Sequence, residues 1–259
     1  MNGFEVDRRP PLLTVTLARG TANAIDAATS RELSDVFSGF RDDDELRVAI
    51  ITGAGGRFFC AGWDLDAAAA GEAYDADFGA GGFGGYAELA DLRKPVIAAV
   101  NGMAVGGGFE LVLGADLVIA SEHATFFLPE TSVGVIPDAG SVRLPRLLPR
   151  PVAIEMLIAG RRLTAAEALG WGLVNRVVVA GELLDAATEL ADRVVAAAPL
   201  AVEAVLDLIR RTERMPVSDG LRLLRSGTVD PYERMLASRD ALEGPRAFGE
   251  RRPPRWTGR

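Results

Sequence analysis

Leu12 to Ala18 (LLTVTLA) alternates apolar residues with threonines, the period-two pattern of a half-buried strand. Asp26 then stands where it can cap a helix from Ala27 to about Arg41, with Leu33, Val36, Phe37 and Phe40 on one face. Val48 to Thr52 (VAIIT) is almost wholly apolar and stops at Gly53, as a buried strand does. Phe58 to Ala61 predicts another strand or a bend. Ala67 to Gly85 is rich in alanine, glycine and acidic residues without clear periodicity and reads as a mobile surface segment. Pro95 opens VIAAV, a further buried strand, and Leu117 to Ala120 is a fourth apolar run, with a short helix expected between them over Gly106 to Gly114.

From about Ala139 the period changes, and helices are expected over Ala153–Ala159, Thr164–Leu169, Glu182–Ala198 and Leu200–Arg211. Thr164 and Glu167 have capping-box spacing, which marks one of these starts. The segment after Leu200 is amphipathic and packs its apolar faces on the core or on another subunit. Strand, helix, strand followed by a helical end is an α/β organisation.

The chain has 259 residues and a net charge of −8, which argues against a surface built to neutralise nucleic-acid phosphates. No run reaches the ~18 uninterrupted apolar residues of a membrane span, since Asn101, Glu110 and Asp116 punctuate the most hydrophobic region. The opening MNGFEVDRRPPLLTV lacks a positive n-region followed by a long apolar stretch, so a soluble cytoplasmic protein is expected. A single cysteine, Cys60, and a single histidine, His123, leave little for a metal cluster or a chymotrypsin-like triad. Cys60 reads as a packed thiol and His123 as part of a polar turn.

Three features carry candidate chemistry. Gly106-Gly107-Gly108 enters a helix directly after a buried strand, and such a run lets a substrate approach main-chain N–H groups at a helix start, which suits a developing oxyanion. The same run also suits tight helix–strand packing. Gly53-Ala54-Gly55-Gly56 leads to Phe59-Cys60-Ala61-Gly62-Trp63-Asp64, where small residues leave a second amide accessible. Glu110 and Glu130 both arrive from apolar surroundings, which raise carboxylate pKa values toward those needed for acid–base work near neutral pH. The alternative is that each faces solvent or pairs with an arginine such as Arg143.

Taken in order, Asn23-Ala24, Phe59 to Asp64, Lys94 to Gly102, Gly106 to Glu110, Pro129 to Pro137 and Leu163 to Arg176 resemble the crotonase (enoyl-CoA hydratase/isomerase) superfamily over nearly the whole chain. Ala61 to Leu65, Asp75 to Gly79, Arg222 to Gly227 and Phe248 to Arg259 resemble its crotonobetainyl-CoA branch. The resemblance implies a spiral of ββα turns over residues 1–198, which holds the CoA-ester site, and a helical trimerisation region over 199–259, assembling as a homotrimer or a homohexamer.

By the same resemblance the oxyanion-hole amides map onto Trp63 and Gly107, the catalytic glutamates onto Glu110 and Glu130, and CoA contacts onto Ala24, Ala61, Asp64 and Leu65. An acyl-CoA thioester is the implied partner, with coenzyme A present as part of the substrate and no tightly bound cofactor, metal, nucleic acid or membrane. The implied reaction is reversible hydration of a 2-enoyl-CoA, with double-bond isomerisation and a non-catalytic CoA- or RNA-binding role as alternatives. Two positions depart from the common pattern. Asp66 stands where many relatives carry a lysine near the CoA phosphates, leaving that contact to Arg19 or to an arginine of a neighbouring subunit. Trp63 replaces a small residue, and Trp63, Tyr86 or Phe83 could offer an aromatic face to a trimethylammonium head group.

Overall fold

The computed structural model describes residues 3–259. Asp26 caps α1 (Ala27–Asp42) as expected, its carboxylate accepting the Thr29 amide at 2.7 Å. The apolar stripe of that helix, Leu33, Phe37 and Phe40, is fully buried, with the Phe37 ring 4.9 Å from that of Tyr86.

Two sheets run through the first part of the chain. One has six strands in the order β1 (Phe4–Arg9), β2 (Leu12–Leu17), β3 (Val48–Gly53), β5 (Val96–Val100), β7 (Leu117–Ser121) and β10 (Arg176–Val178). The other has four, β4 (Phe58–Cys60), β6 (Met103–Val105), β8 (Thr125–Phe127) and β9 (Leu163–Thr164). Each successive turn places one strand in each sheet: β3 then β4, β5 then β6, β7 then β8. Helix α2 (Leu65–Ala69) follows β4, α3 (Gly107–Gly114) follows β6, and α4 (Asp138–Leu147) follows β8. Parallel pairing of β3 with β5 and β5 with β7 buries both faces, which explains why VAIIT and VIAAV are apolar without alternation.

Asn101, at the end of β5, ties the turns together. Its side chain accepts the Gly53 amide at 3.1 Å and donates to the Gly55 carbonyl at 2.7 Å. Asn23, at φ +51°, donates to the Ala54 and Phe58 carbonyls at 3.0 and 3.1 Å. These family-motif asparagines therefore hold the β3–β4 connection in place.

The expectation of a mobile surface segment over Ala67–Gly85 is corrected for its end, from Phe78 to Gly85, while the residues before it are exposed or half-buried. After α2 the chain is irregular, but Gly81, Gly84 and Gly85 are buried against α1. The Ser30 hydroxyl donates to the Phe78 carbonyl at 2.8 Å and accepts the Gly84 amide at 3.0 Å, while the Ser34 hydroxyl accepts the Gly81 amide at 3.2 Å. The absence of side-chain periodicity reflects a segment held by its main chain, which glycine makes accessible.

After α4 come α5 (Arg150–Ala159) ahead of β9, α6 (Ala165–Gly170) between β9 and β10, and α7 (Leu183–Val195) after β10. The Thr164–Glu167 capping box forms at the start of α6. The chain divides into two compact units, the first ending at Ala191 and the second running from Asp192 to Arg259, so the division falls inside α7. The second unit contains α8 (Pro199–Thr212), α9 (Val217–Leu224), α10 (Asp230–Leu236) and α11 (Arg239–Gly249). The buried Asp240 carboxylate fixes its tail by accepting the Thr257 and Gly258 amides at 2.8 and 2.9 Å. Val205, Ile209, Val217, Leu221, Leu242 and Phe248 leave apolar side chains exposed on these helices. Among the described residues no helix is long and apolar enough to cross a membrane.

Candidate active site

Three neighbouring glycines have three separate reasons to be glycine. Gly106, the N-cap of α3, has φ +55°, and a Cβ there would sit 2.5 Å from Glu130 Oε1. At Gly107 a Cβ would meet the Phe83 ring at 2.6 Å, and at Gly108 it would strike the Cys60 carbonyl oxygen at 2.1 Å. Tight helix–strand packing therefore explains Gly108, while Gly106 and Gly107 open onto a cavity of about 480 Å³.

Two main-chain amides near that opening are left without a partner in their own element. Gly107 begins α3, whose first bonds run from the Phe109 and Glu110 amides to the Gly106 carbonyl at 2.8 and 3.0 Å, so the Gly107 N–H has no acceptor within the helix. A parallel bridge joins Ile25 to Trp63 through the Ile25 amide to Gly62 O (2.8 Å) and the Asp64 amide to Ile25 O (3.0 Å). That pattern leaves the Trp63 amide outside the ladder. Gly62, at φ +85°, approaches so closely that a Cβ on it would lie 2.8 Å from the Gly107 nitrogen. The segment carrying the Trp63 amide is thereby held beside the start of α3.

Both glutamates line the same cavity. Glu110, within α3, accepts the Gly140 amide of α4 at 2.7 Å. Burial raises its pKa, assisted by the charges of Asp138 and Glu88 and opposed by the Gly140 and Ala139 amides. Glu130 opens a 3-10 turn after β8, and burial pushes its pKa up to about 7, with Glu110 and Asp138 adding to the rise. Its Oε2 is buried without a hydrogen-bond partner. The alternative of an Arg143 pair does not occur, because Arg143 donates to the Leu113 and Ala87 carbonyls at 3.4 and 2.5 Å.

Of the expected CoA contacts, Ala61 and Leu65 line the cavity, and Leu65 is largely exposed. Ala24 and Asp64 lie outside its lining. The Asp64 carboxylate caps α2 and pairs with Arg19, which also donates to Asp26 at 2.6 Å and to the Ala24 carbonyl at 3.3 Å. Arg19 is thus shared between two carboxylates. Tyr86 is corrected as a cavity aromatic: it is buried and donates to the Leu111 carbonyl.

Trp63 and Phe83 do line the cavity. The Trp63 indole donates to Glu72 at 2.7 Å and meets the Tyr74 ring edge-on at 5.5 Å. Tyr74, Phe78, Glu88 and Asp138 belong to the lining and were not singled out from the sequence. Tyr74 and Phe78 sit in the segment expected at the surface, and Asp138 sits at a helix start, where an acidic residue is unremarkable. Cys60 is fully buried with its thiol pushed up to about 12 by that burial, and the His123 ring lies 3.1 Å from the Gly56 carbonyl oxygen.

Residues 8–259 match the family model described as enoyl-CoA hydratase/isomerase. The chain belongs to that family, has its crotonase fold, and is an enzyme of the enoyl-CoA hydratase type. It is 59% identical over 252 residues to the carnitinyl-CoA dehydratase of Proteus mirabilis, covering 97% of each chain, and 58% identical to that of Salmonella enteritidis, covering 99% of this chain and 98% of the relative. Among solved structures it resembles enoyl-CoA hydratase from Mycobacterium tuberculosis, with a TM-score of 0.90 and 39% identity over the full length of both chains. Enoyl-CoA hydratase from Bacillus anthracis matches with a TM-score of 0.88 and 34% identity, covering 99% of this chain and 100% of that one.

Proposed function

We propose that the protein is a hydro-lyase that adds water reversibly across the double bond of a 2-enoyl-CoA thioester, with crotonobetainyl-CoA/carnitinyl-CoA as its substrate pair. The carrying observation is that Glu110, Glu130 and Gly107 face one cavity, with the chain before Trp63 packed against Gly107. The Trp63 and Gly107 amides are assigned to the thioester oxygen. Electron density drawn onto that oxygen makes the β-carbon electrophilic. One carboxylate removes a proton from water as its oxygen bonds to the β-carbon, and the other carboxyl protonates the α-carbon. Dehydration runs the same steps backwards. Both glutamates are assigned around one water, and Ala24, Ala61, Asp64 and Leu65 to the CoA portion through their main chain and, for Leu65, its side chain.

Coenzyme A enters as part of the substrate and no resident cofactor is required. The helices after residue 199 are assigned to a homotrimer or a dimer of trimers, for which their exposed apolar side chains provide the surface. The setting is assigned as cytoplasmic, without nucleic-acid or membrane partners.

The test is hydration kinetics over crotonyl-CoA, crotonobetainyl-CoA and longer enoyl-CoA esters. Glu110→Gln and Glu130→Gln should each remove most turnover while retaining CoA-ester binding. Turnover near the wild-type rate in either variant would sink the two-carboxylate mechanism, and double-bond migration without hydration would make the protein an isomerase.

A further inference from the structure

The cavity has a one-sided electrostatic character. Asp77, Glu88, Glu110, Glu130 and Asp138 line it, and neither lysine nor arginine does. Its other walls are apolar, Leu65, Val133 and Val135 among them, and carry two aromatic pairs, Trp63 edge-on to Tyr74 at 5.5 Å and Phe78 edge-on to Phe83 at 5.4 Å. A carboxylate-bearing acyl group would be repelled here, and a plain hydrocarbon would leave the acidic groups desolvated without a partner. A cation with apolar substituents satisfies both kinds of wall.

Asp138 is the best placed of the carboxylates that the hydration chemistry does not use. It stands at the first position of α4, two residues before the Gly140 amide that holds Glu110. It lines the same cavity as Glu110, Glu130 and Tyr74, and its charge acts on all three. The Tyr74 hydroxyl is tied to the Ile136 carbonyl, so its ring is held beside the same loop. Burial and the surrounding acidic groups keep that phenol protonated.

We infer that Asp138 and the Tyr74 ring form the receptor for a quaternary ammonium head group carried on the γ-carbon of the acyl chain, and so set acyl specificity. This rests on the cavity being the CoA-thioester site. The γ-carbon lies one bond beyond the carbon that receives water, so a cation attached to it stays within reach of a carboxylate bordering Glu110 and Glu130. Both are specificity residues and take no part in proton transfer.

The test is equilibrium binding, by calorimetry on the full-length protein, of two saturated, non-reacting esters of matched shape: 4-(trimethylammonio)butyryl-CoA and its neutral isostere 5,5-dimethylhexanoyl-CoA. Wild-type protein should favour the cationic ester by about tenfold or more, the scale of a partly desolvated cation–carboxylate–aromatic contact. Asp138→Asn should lower that preference by about tenfold. Tyr74→Leu should lower it too, and Tyr74→Phe, which keeps the ring, should restore it. Using the ratio of two esters cancels any effect of a variant on the glutamates or on CoA binding. Equal affinity of the wild-type protein for both esters overturns the proposal without needing any variant to fold, as does an unchanged ratio in folded Asp138→Asn. Because neither ester reacts, failure of hydration on crotonyl-CoA would count against the hydratase mechanism alone.

Discussion

The carboxylate of Glu130 lies against the α-carbon of Gly106, so close that a methyl group there would be 2.5 Å from Oε1. One residue's missing side chain is therefore the space in which a proposed catalytic group rests. Gly106→Ala should displace Glu130 and strain a backbone at φ +55°. The strain alone costs about 1–3 kcal/mol, and kcat should fall by more than the stability change explains. Stopped-flow hydration of crotonyl-CoA beside a urea melt checks this. Wild-type kcat would mean that Glu130 can work from elsewhere.

Ionisation of the buried glutamates should oppose folding over a defined pH range. Glu130 ionises near 7 in the folded chain and near its ordinary 4.5 when unfolded. Between those values the folded state holds the extra proton, so stability falls as pH rises through this window and is unaffected by this group below it. Glu110 is shifted in the same direction. Glu130→Gln should flatten the dependence, seen as a smaller change in urea midpoint between pH 5 and pH 8. A slope as steep as wild type would place the titration on another group.

Ser30 fastens the glycine-rich segment to α1 from both sides of one oxygen. Ser30→Ala leaves a buried amide unsatisfied and should cost about 1–3 kcal/mol. Since Phe78 and Phe83 depend on that segment, KM for enoyl-CoA esters should rise as well. Limited proteolysis and steady-state kinetics test the two halves separately, and unchanged cleavage around residues 78–85 would refute the fastening role.

Thr164→Ala provides the contrast. It removes the hydroxyl that accepts the Glu167 amide at the start of α6, leaves the Glu167 carboxylate on the residue-164 amide, and should cost about 1 kcal/mol, with kcat/KM unchanged because α6 contributes nothing to the cavity lining. Thermal denaturation and hydration rates together decide it.

Much of this organisation is legible in the sequence because local signals and burial agree. Asp26 before an amphipathic stripe, VAIIT before a glycine, and Thr164 three residues ahead of Glu167 each mark an element that forms at the expected place. Glu110 and Glu130 stand out because carboxylates are rare in apolar runs, and they do meet in one cavity. What escapes is held by long-range main-chain contacts. The two- and three-residue strands β6, β8, β9 and β10 are too short to show a period, and the segment from Tyr74 to Glu88 gains its order from Ser30 and Ser34, more than forty positions away. The pairing of Arg19 with Asp26 and Asp64 likewise cannot be recognised before folding brings the three together.

The run Gly106-Gly107-Gly108 also bears on how this enzyme can vary. Its members answer to a carboxylate, an aromatic ring and a main-chain carbonyl in turn. A library randomised at all three should return glycine at each under selection for turnover, yet release Gly107 first when Phe83 is shortened in the same clones. Three identical letters in a row are here three independent constraints, of which only the one at Gly107 is set by a neighbouring side chain that can be shortened to relieve it.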